Sequence, residues 1–333
     1  MEKAESDQTF SRLRMDLVAQ DVEFDDANRT MRAVLVPDPR RYEHQEIDGT
    51  GGWYDLFDHT FIPDEVFADM ARQMPGTPMY YQPQEISDAV EYVRSRRGAI
   101  DLALDGNTPE PTFEDKSEAF LQSLARNKLG FVILSIDVVG STKLSQAVSD
   151  ENYARIIAAT VSELSLVVPQ FHGHVLNYTG DGFIAYFAEP SFTTKNDLAI
   201  DCALTLRLLL YRAINPALEA RGLPKLGIRI GLDSGDAVVV TLGDPRTKQH
   251  KDIIGAVVNL AAKIQARAEP GTILVGETVD QNLHVAWREQ LQEIDPGPEW
   301  PYKNSNGDPY GLWRVGRDTD AGPRVVSPKA QVS

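Results

Sequence analysis

The sequence has little that would suit an exported or membrane-bound protein. Its 333 residues include a single cysteine, Cys202, so no disulfide can form within the chain. The pattern around Cys202 predicts a helix in which this residue is a small, buried apolar side chain. No apolar run approaches the roughly 20 residues of a membrane span, and the first residues lack the basic start and apolar core of a signal peptide. We therefore expect a cytoplasmic protein with no membrane partner.

Positive charge is scarce as well. The chain has 33 Lys and Arg residues against 49 Asp and Glu residues, which gives a formal net charge of −16. Because nucleic acids and anionic membranes demand a basic surface, neither is an expected partner. An anionic substrate would have to be bound locally, by a metal ion and a few cationic side chains.

The N-terminal third has a weak pattern, and we assign residues 1–113 to a separate α/β region. Apolar spacing predicts helices over residues 63–74 and 86–95. Glycine and proline predict a loop at residues 48–53 and another at 75–84.

A turn-rich stretch separates this region from a larger domain. Residues 105–112 contain the glycine and prolines typical of a linker. Residues 114–127 follow, with apolar side chains at helical spacing, and we predict a short coupling helix there. The larger domain spans 128–316, and the polar residues 317–333 are expected to form a flexible tail.

The larger domain alternates between strand and helix patterns. Its first six elements are a strand at 131–138, a helix at 151–169, strands at 174–178 and 183–188, a helix at 197–214 and a strand at 227–234. This order predicts a ferredoxin-like α+β core. Later elements are strands at 237–242, 272–275, 287–294 and 311–315 and a helix at 257–268.

Two aspartates are placed where these strands turn. Asp137 ends an apolar strand, and Asp181 lies between two glycines at the tip of a hairpin. On adjacent strands the two carboxylates would meet, and such oxygen ligands suit Mg²⁺ or Mn²⁺ carried by a nucleoside triphosphate. After Asp137 the chain turns into a helix, so Val139, Gly140, Ser141 and Thr142 can offer N–H and hydroxyl groups to phosphate oxygens.

Four separated motifs in the same order strengthen this interpretation. They are residues 135–142, 173–187, 228–239 and 252–263. With these motifs, residues 128–316 resemble a class III nucleotidyl cyclase catalytic domain. The resemblance implies conversion of a nucleoside triphosphate to a 3′,5′-cyclic nucleotide and pyrophosphate.

The resemblance also implies roles for the two aspartates and for their neighbour. Two divalent metal ions, Mg²⁺ or Mn²⁺, would be held by Asp137, the backbone of Val138 and Asp181. One ion activates the ribose 3′-hydroxyl and the other binds the triphosphate. In-line displacement of this kind needs alignment and charge neutralisation, and no protein nucleophile.

Further roles fall on residues near the C-terminal end. Asn259 corresponds to the asparagine that orients the ribose, and Lys263 stands where the family usually has an arginine that stabilises the transition state. Lysine keeps the charge but lacks the planar fork of arginine. Arg267, one turn further along, is an alternative cation, and Lys303 resembles a lysine that binds the triphosphate.

The base-selecting positions are Asn177 and Asp252. Adenylate cyclases typically have lysine and aspartate there, and guanylate cyclases have glutamate and cysteine, so neither standard pair is present. Asn177 can both donate and accept hydrogen bonds and could pair with adenine, uracil or cytosine. With Tyr178 beside it, the site resembles the pyrimidine cyclases of Pycsar antiphage systems, although an Asn-Asp pair also occurs in some bacterial adenylate cyclases. We favour UTP narrowly over ATP.

In this family the site lies between two catalytic domains, so the resemblance implies a homodimer. Residues 237–242 and the polar loop after them are candidates for an arm that crosses to the partner copy.

Two other interpretations of the function stay open at this point. One is an inactive, cyclase-like nucleotide-binding module; the other is a different palm enzyme, such as a diguanylate cyclase, which the absence of its signature disfavours.

Overall fold

The structure is a computed structural model that describes residues 16–25, 30–39, 41–56, 59–73, 86, 88–107, 120–121, 128–188, 194–244, 246–247 and 249–316. Three expectations lie wholly or mostly outside these residues: the loop at 75–84, the coupling helix at 114–127 and the tail at 317–333. The chain divides into two compact units between residues 79 and 80.

The N-terminal unit is built from short antiparallel strands. Strands β1 (Leu17–Asp25) and β2 (Thr30–Pro37) form one pair, and β3 (Tyr42–Ile47), β4 (Thr50–Asp55) and β5 (Thr60–Pro63) form a three-stranded sheet before helix α1 (Asp64–Gln73). The helix predicted at 63–74 is confirmed. The loop predicted at 48–53 is wrong beyond its first residues, because only Asp48 and Gly49 turn with positive φ and the rest pairs with β3.

The C-terminal unit contains the predicted alternation of strands and helices. Its first elements are helix α2 (Ala89–Leu104), strand β6 (Lys128–Val139), helices α3 (Ser141–Ala147) and α4 (Asp150–Ser165), a 3-10 turn (Val168–Phe171), strands β7 (His174–Tyr178) and β8 (Gly182–Phe187), and helix α5 (Thr194–Leu209). A π-helical turn (Leu210–Ile214), helix α6 (Asn215–Glu219), strands β9 (Gly227–Leu242) and β10 (His250–Ile254) and helix α7 (Ala256–Arg267) follow. The last elements are strand β11 (Ile273–Gly276), helices α8 (Glu277–Asn282) and α9 (Val285–Arg288), and strands β12 (Leu291–Ile294) and β13 (Leu312–Val315).

The large sheet has the order β12-β13-β11-β9-β6-β8-β7, with β10 paired to β9. Strand β6 lies between β8 and β9 and is antiparallel to both. The strands of the first six predicted elements therefore lie side by side as fourth, first, third and second, which confirms the ferredoxin-like α+β core.

Strand β6 has two apolar faces because helices cover both sides of the sheet. Val132, Leu134 and Ile136 pack against the helices of one layer, which includes α4 and α5. Phe131 and Ile133 face the other side, where they pack with α7. Successive side chains of a strand alternate between faces, so Asp137 shares the face of α7.

Helix α2 packs on the C-terminal unit, although the sequence placed all of residues 1–113 in a separate region. Val93, Ile100 and Leu104 join the core that contains α4 and α5. Arg96 donates to both carboxylate oxygens of Glu163 on α4, at 2.8 to 3.1 Å. The predicted boundary is therefore too far along the chain, because the apolar face of α2 is buried against this core.

Three smaller differences concern elements of the C-terminal unit. The strands predicted at 227–234 and 237–242 are one continuous strand, β9, whose first twelve residues pair with β6. The strand predicted at 287–294 is shorter, because Trp287 lies buried in α9. Residues 150–171 are long and apolar enough to span a membrane, but half of this segment is buried in the core.

Candidate active site

Asp137 lies near the end of β6, between two neighbouring strands. In the register of the sheet it is opposite Gly182 on β8 and opposite Arg229 on β9. Its side chain is 29% exposed, so its carboxylate is open to a ligand from solvent.

Asp181 lies in the tight hairpin between β7 and β8, next to the residue opposite Asp137. Thr179 N donates to Gly182 O at 2.9 Å, and Gly180 has a φ of 88°, which only glycine adopts without strain. A Cβ at Gly182 would overlap the carbonyl oxygen of Ile136, so β8 can approach β6 here only without a side chain. Asp181 is therefore the chain neighbour of the residue opposite Asp137.

Arg229 is a site residue that the sequence analysis missed. Its Nη2 donates to Asp137 Oδ2, and the two side chains are 34% and 29% exposed. In the sequence, a single arginine inside the apolar strand 227–234 does not indicate a functional role. Only the pairing of β9 with β6 shows that Arg229 is opposite Asp137. The site thus contains its own cation as well as its carboxylates.

The predicted phosphate-binding turn follows directly. Val139 ends β6, and Gly140 has a φ of 95° and caps α3. Ser141 is partly exposed and Thr142 is exposed at the start of this helix. Their N–H and hydroxyl groups are accessible at the end of the strand that carries Asp137.

Asn177 and Tyr178 end β7, but on opposite faces. Asn177 is opposite Ile184, which packs on the face of α7. Tyr178 packs edge-on against Phe183 at 6.2 Å, and its hydroxyl donates to Ser165 Oγ on the face of α4. The sequence analysis placed Tyr178 beside Asn177 in the base site. In the structure, Tyr178 lies on the opposite face of the sheet from Asn177 and Asp137.

Helix α7 presents Asn259 and Lys263 to solvent, one turn apart. Within the part of the chain that the structure describes, neither side chain has a hydrogen bond or an ion pair. Arg267, the alternative cation, is already engaged: its Nη1 donates to Pro296 O at 2.6 Å and its guanidinium lies 5.3 Å from the centre of the Trp300 ring.

Asp252 and Lys303 lie on other elements. Asp252 is on β10, its side chain is 20% exposed, and its Oδ1 accepts from Ile253 N at 2.8 Å. It is opposite Val240 on β9, whereas Asp137 is opposite Arg229 on the same strand. Eleven residues of strand correspond to roughly 35 Å, too far for both side chains to contact one nucleotide. Lys303 is exposed in the loop before β13.

The geometry fits the nucleotidyl cyclases, and the comparisons with known proteins agree. A family model described as the adenylate and guanylate cyclase catalytic domain matches residues 127–297, just over half of the chain. The chain belongs to this family.

Two relatives and one solved structure match between 44% and 59% of the chain. A cytidylate cyclase of Escherichia coli is 25% identical over 175 residues, which is 50% of this chain and 38% of that protein. A uridylate cyclase of Micromonospora echinofusca is 26% identical over 151 residues, 44% of this chain and 48% of that protein. The chain thus spans less than half the length of these relatives. The structure of the adenylyl cyclase CyaB from P. aeruginosa covers 59% of this chain and 98% of its own, with a TM-score of 0.50 and 21% identity.

Proposed function

We propose that this protein converts a nucleoside triphosphate to a 3′,5′-cyclic nucleotide and pyrophosphate. The observation that carries the proposal is the position of Asp137 at the end of β6, where it contacts Arg229 and is opposite Gly182, the chain neighbour of Asp181. Membership of the cyclase family supports it.

The two aspartates fit divalent metal ions that arrive with the substrate. Mg²⁺ is typically bound by one or two carboxylates together with substrate phosphates. Across the described ranges no third Asp, Glu, His or Cys completes a metal cluster, which suits ions shared with the triphosphate. The backbone of Val138 is the remaining protein ligand that we propose. When bound, such ions neutralise charge and activate the ribose hydroxyl.

The other residues act by binding and orienting the substrate. Arg229 balances the charge of Asp137 in the free protein and can turn to the triphosphate when that charge is neutralised. The turn from Val139 to Thr142 is placed to donate to phosphate oxygens. We assign ribose orientation to Asn259, transition-state charge to Lys263 and a further triphosphate contact to Lys303.

A homodimer would complete the site. Asp252 lies too far from Asp137 along β9 to share a nucleotide with it, so the second copy would supply Asp252. The family resemblance assigns Asn177, Asn259 and Lys263 to that same second copy. Strands β9 and β10 leave Val238, Leu242 and Ile254 exposed, which is the apolar surface that a crossing arm needs.

We propose UTP as the substrate, with ATP as the alternative. Asn177 is exposed on the face of Asp137, where it can both donate to and accept from a pyrimidine edge. The relatives named cytidylate and uridylate cyclase support a pyrimidine, and their identities of 25% and 26% do not separate the two bases. Asp252 supports ATP, because adenylate cyclases share it. A role of cyclic UMP in antiphage defence follows from the pyrimidine assignment as a further proposal. A cytoplasmic location is a separate proposal that rests on the sequence.

The test is incubation with each of ATP, GTP, CTP and UTP in the presence of Mn²⁺, with the products separated by chromatography and identified by mass. We expect UTP to have the highest kcat/KM of the four substrates. A site that pairs with the edge of uracil leaves its polar groups unpaired when a different base binds. A preference for ATP would overturn the pyrimidine assignment alone.

Asp137→Ala and Asp181→Ala provide the matched test of the chemistry. Each should lower turnover by at least about 10³-fold, since no other described carboxylate can replace them. Circular dichroism of both variants should match the wild type. Cyclic product at the wild-type rate from either variant would remove the proposed activity, and nucleotide binding without turnover by the wild type would favour an inactive module.

A further inference from the structure

The segment from residue 296 to 311, here called the lysine loop, folds back on itself between β12 and β13. Trp300 Nε1 donates to Tyr310 O and Tyr310 N donates to Tyr302 O, both at 2.9 Å. Lys303 pairs with Pro309 in an isolated bridge further out. The loop therefore has a defined shape, with Lys303 on its exposed side.

The first anchor of the lysine loop is Arg267, the last residue of α7. Its Nη1 donates to Pro296 O at 2.6 Å, and its guanidinium lies over the ring of Trp300. A planar guanidinium can stack on an aromatic ring and donate in its own plane at the same time, which a lysine cannot do. Because Lys263 is one turn earlier, Arg267 joins the helix of one candidate cation to the loop of the other.

Two further anchors hold the far side of the lysine loop. Glu277 on α8 accepts from Gly311 N at 3.1 Å and from Asn304 Nδ2 at 3.2 Å. Tyr310 Oη donates to Asp233 Oδ1 on β9 at 2.6 Å and accepts from Thr278 N at 2.9 Å.

The contact between Asp233 and Tyr310 is deeply buried. Asp233 is 2% exposed, and a Cβ at Gly276 would overlap its carboxyl, so the backbone of β11 approaches this carboxyl closely. Burial raises the pKa of Asp233 to about 7, against the hydrogen bond from Tyr310, which lowers it. Polar groups are buried in this way only when their partners are fixed, so Tyr310 has one stable position.

We propose that Arg267 is a positioning residue that clamps the lysine loop to α7 and so sets Lys303 relative to Lys263, and that it is not the transition-state cation. This inference rests on the proposed cyclase activity. Lys303 would bind the triphosphate only while the clamp holds, and Lys263 would remain the cation of α7 that is exposed toward the substrate.

The first test needs no enzymatic activity. Amide hydrogen exchange of residues 298–311 would be measured in the full-length chain for the wild type, Arg267→Ala and Tyr310→Phe. We expect exchange in the loop to accelerate by about tenfold or more in both variants, because local opening becomes easier. Arg94→Ala removes an equally exposed arginine from α2 and should leave the loop unchanged. Unchanged exchange in Arg267→Ala would overturn the clamp.

The second test separates positioning from catalysis. With the nucleotide that the wild type turns over, Arg267→Ala should raise KM by about tenfold while kcat stays within about threefold. Combined with Lys303→Ala it should add little to the effect of Lys303→Ala alone, because both act through one contact. Arg267→Lys should not restore KM, since it lacks the planar stack.

A different set of results is expected if Arg267 is itself the transition-state cation. A transition-state cation would lose kcat by about 100-fold or more on Arg267→Ala, with independent effects in the double variant and partial rescue by lysine. An inactive wild type would remove the proposed function, and the exchange data would still decide whether the clamp exists.

Discussion

Asp201 is a buried carboxyl for which the proposed chemistry has no use. It lies on α5 with a side-chain oxygen, Oδ1, that has no hydrogen-bond partner among the described residues. Burial, and then the nearby charge of Asp197, raises the pKa of Asp201 to about 8. In the unfolded chain an aspartate titrates near pH 3.9. Between about pH 4 and pH 8 the folded state therefore holds a proton that the unfolded state has lost.

This difference makes the stability of the protein depend on pH with a definite sign. The free energy of unfolding should fall as pH rises from about 4 to about 8. The Asp201→Asn variant has no carboxyl to titrate at this position. Its free energy of unfolding should therefore change less between about pH 4 and about pH 8 than that of the wild type, by up to about 5 kcal/mol. Urea unfolding at pH 5 and pH 8 measures both proteins, with the exposed Glu293→Gln as control. Equal pH dependence of wild type and Asp201→Asn would contradict the assignment.

At the scale of single residues, the sequence identified side chains whose position follows from local pattern. Asp137 is near the end of an apolar strand and Asp181 lies in the hairpin between two strands, and strand pairing places Asp137 opposite the residue after Asp181. Arg229 and the orientation of Tyr178 were missed, because both depend on the register and facing of paired strands. Arg267 was only the alternative cation in the sequence, and its contacts with Pro296 and Trp300 are the basis of the positioning role proposed above.

Among the elements, α2 shows how a helix can belong to a domain that begins in sequence after a linker. Asp88 caps it by accepting from the N–H groups of Val90 and Glu91, and its apolar face joins the core of α4 and α5. Arg96 pairs with Glu163, whose side chain is only 9% exposed. Removing the arginine would leave a nearly buried carboxylate without its charged partner.

We expect Arg96→Ala to lower the free energy of unfolding of the C-terminal unit by about 2–4 kcal/mol, because an unpaired buried charge is costly. Arg94→Ala, on the exposed side of the same helix, should change it by less than about 0.5 kcal/mol. Urea unfolding followed by tryptophan fluorescence checks both. A loss below about 0.5 kcal/mol for Arg96→Ala would contradict a stabilising role for the Arg96–Glu163 pair.

The elements that the sequence predicted correctly have strong periodicity and clear turns at both ends. The strands that flank Gly180 to Gly182 and the helices α4 and α7 are examples. Strand β9 was divided at Gly235 and Asp236, where local propensity favours a turn. Pairing with β6 continues through these residues and outweighs that propensity. The packing of α2 could not be predicted, because its partners lie far along the chain.

For the whole molecule, the separation of Asp252 from Asp137 along β9 makes a second copy necessary to the proposed site. If each site takes its metal-binding residues from one copy and Asn259 from the other, two defective proteins can repair each other. An equimolar mixture of Asp137→Ala and Asn259→Ala should regain up to about a quarter of wild-type activity, because half of the dimers are mixed and each mixed dimer has one intact site.

The mixture has to exchange subunits before the assay, which fluorescence energy transfer between labelled copies can verify. Each variant alone should be inactive. A mixture that exchanges subunits and stays inactive would show that a single chain builds its own site.

The end of β7 has a consequence for how the substrate preference of this protein could be altered. Strand β7 is the outermost of the described strands on its side of the sheet, its pairing with β8 shifts register between Val175 and Asn177, and Asn177 is exposed at its tip. Exposed positions at an irregular sheet edge tolerate substitution with little effect on stability. A substitution of Asn177, the residue proposed to read the base, should therefore cost little stability, whereas a side chain at Gly182 would overlap Ile136. Under the proposed function, the substrate preference can therefore be altered at this edge without disturbing the strand that carries Asp137.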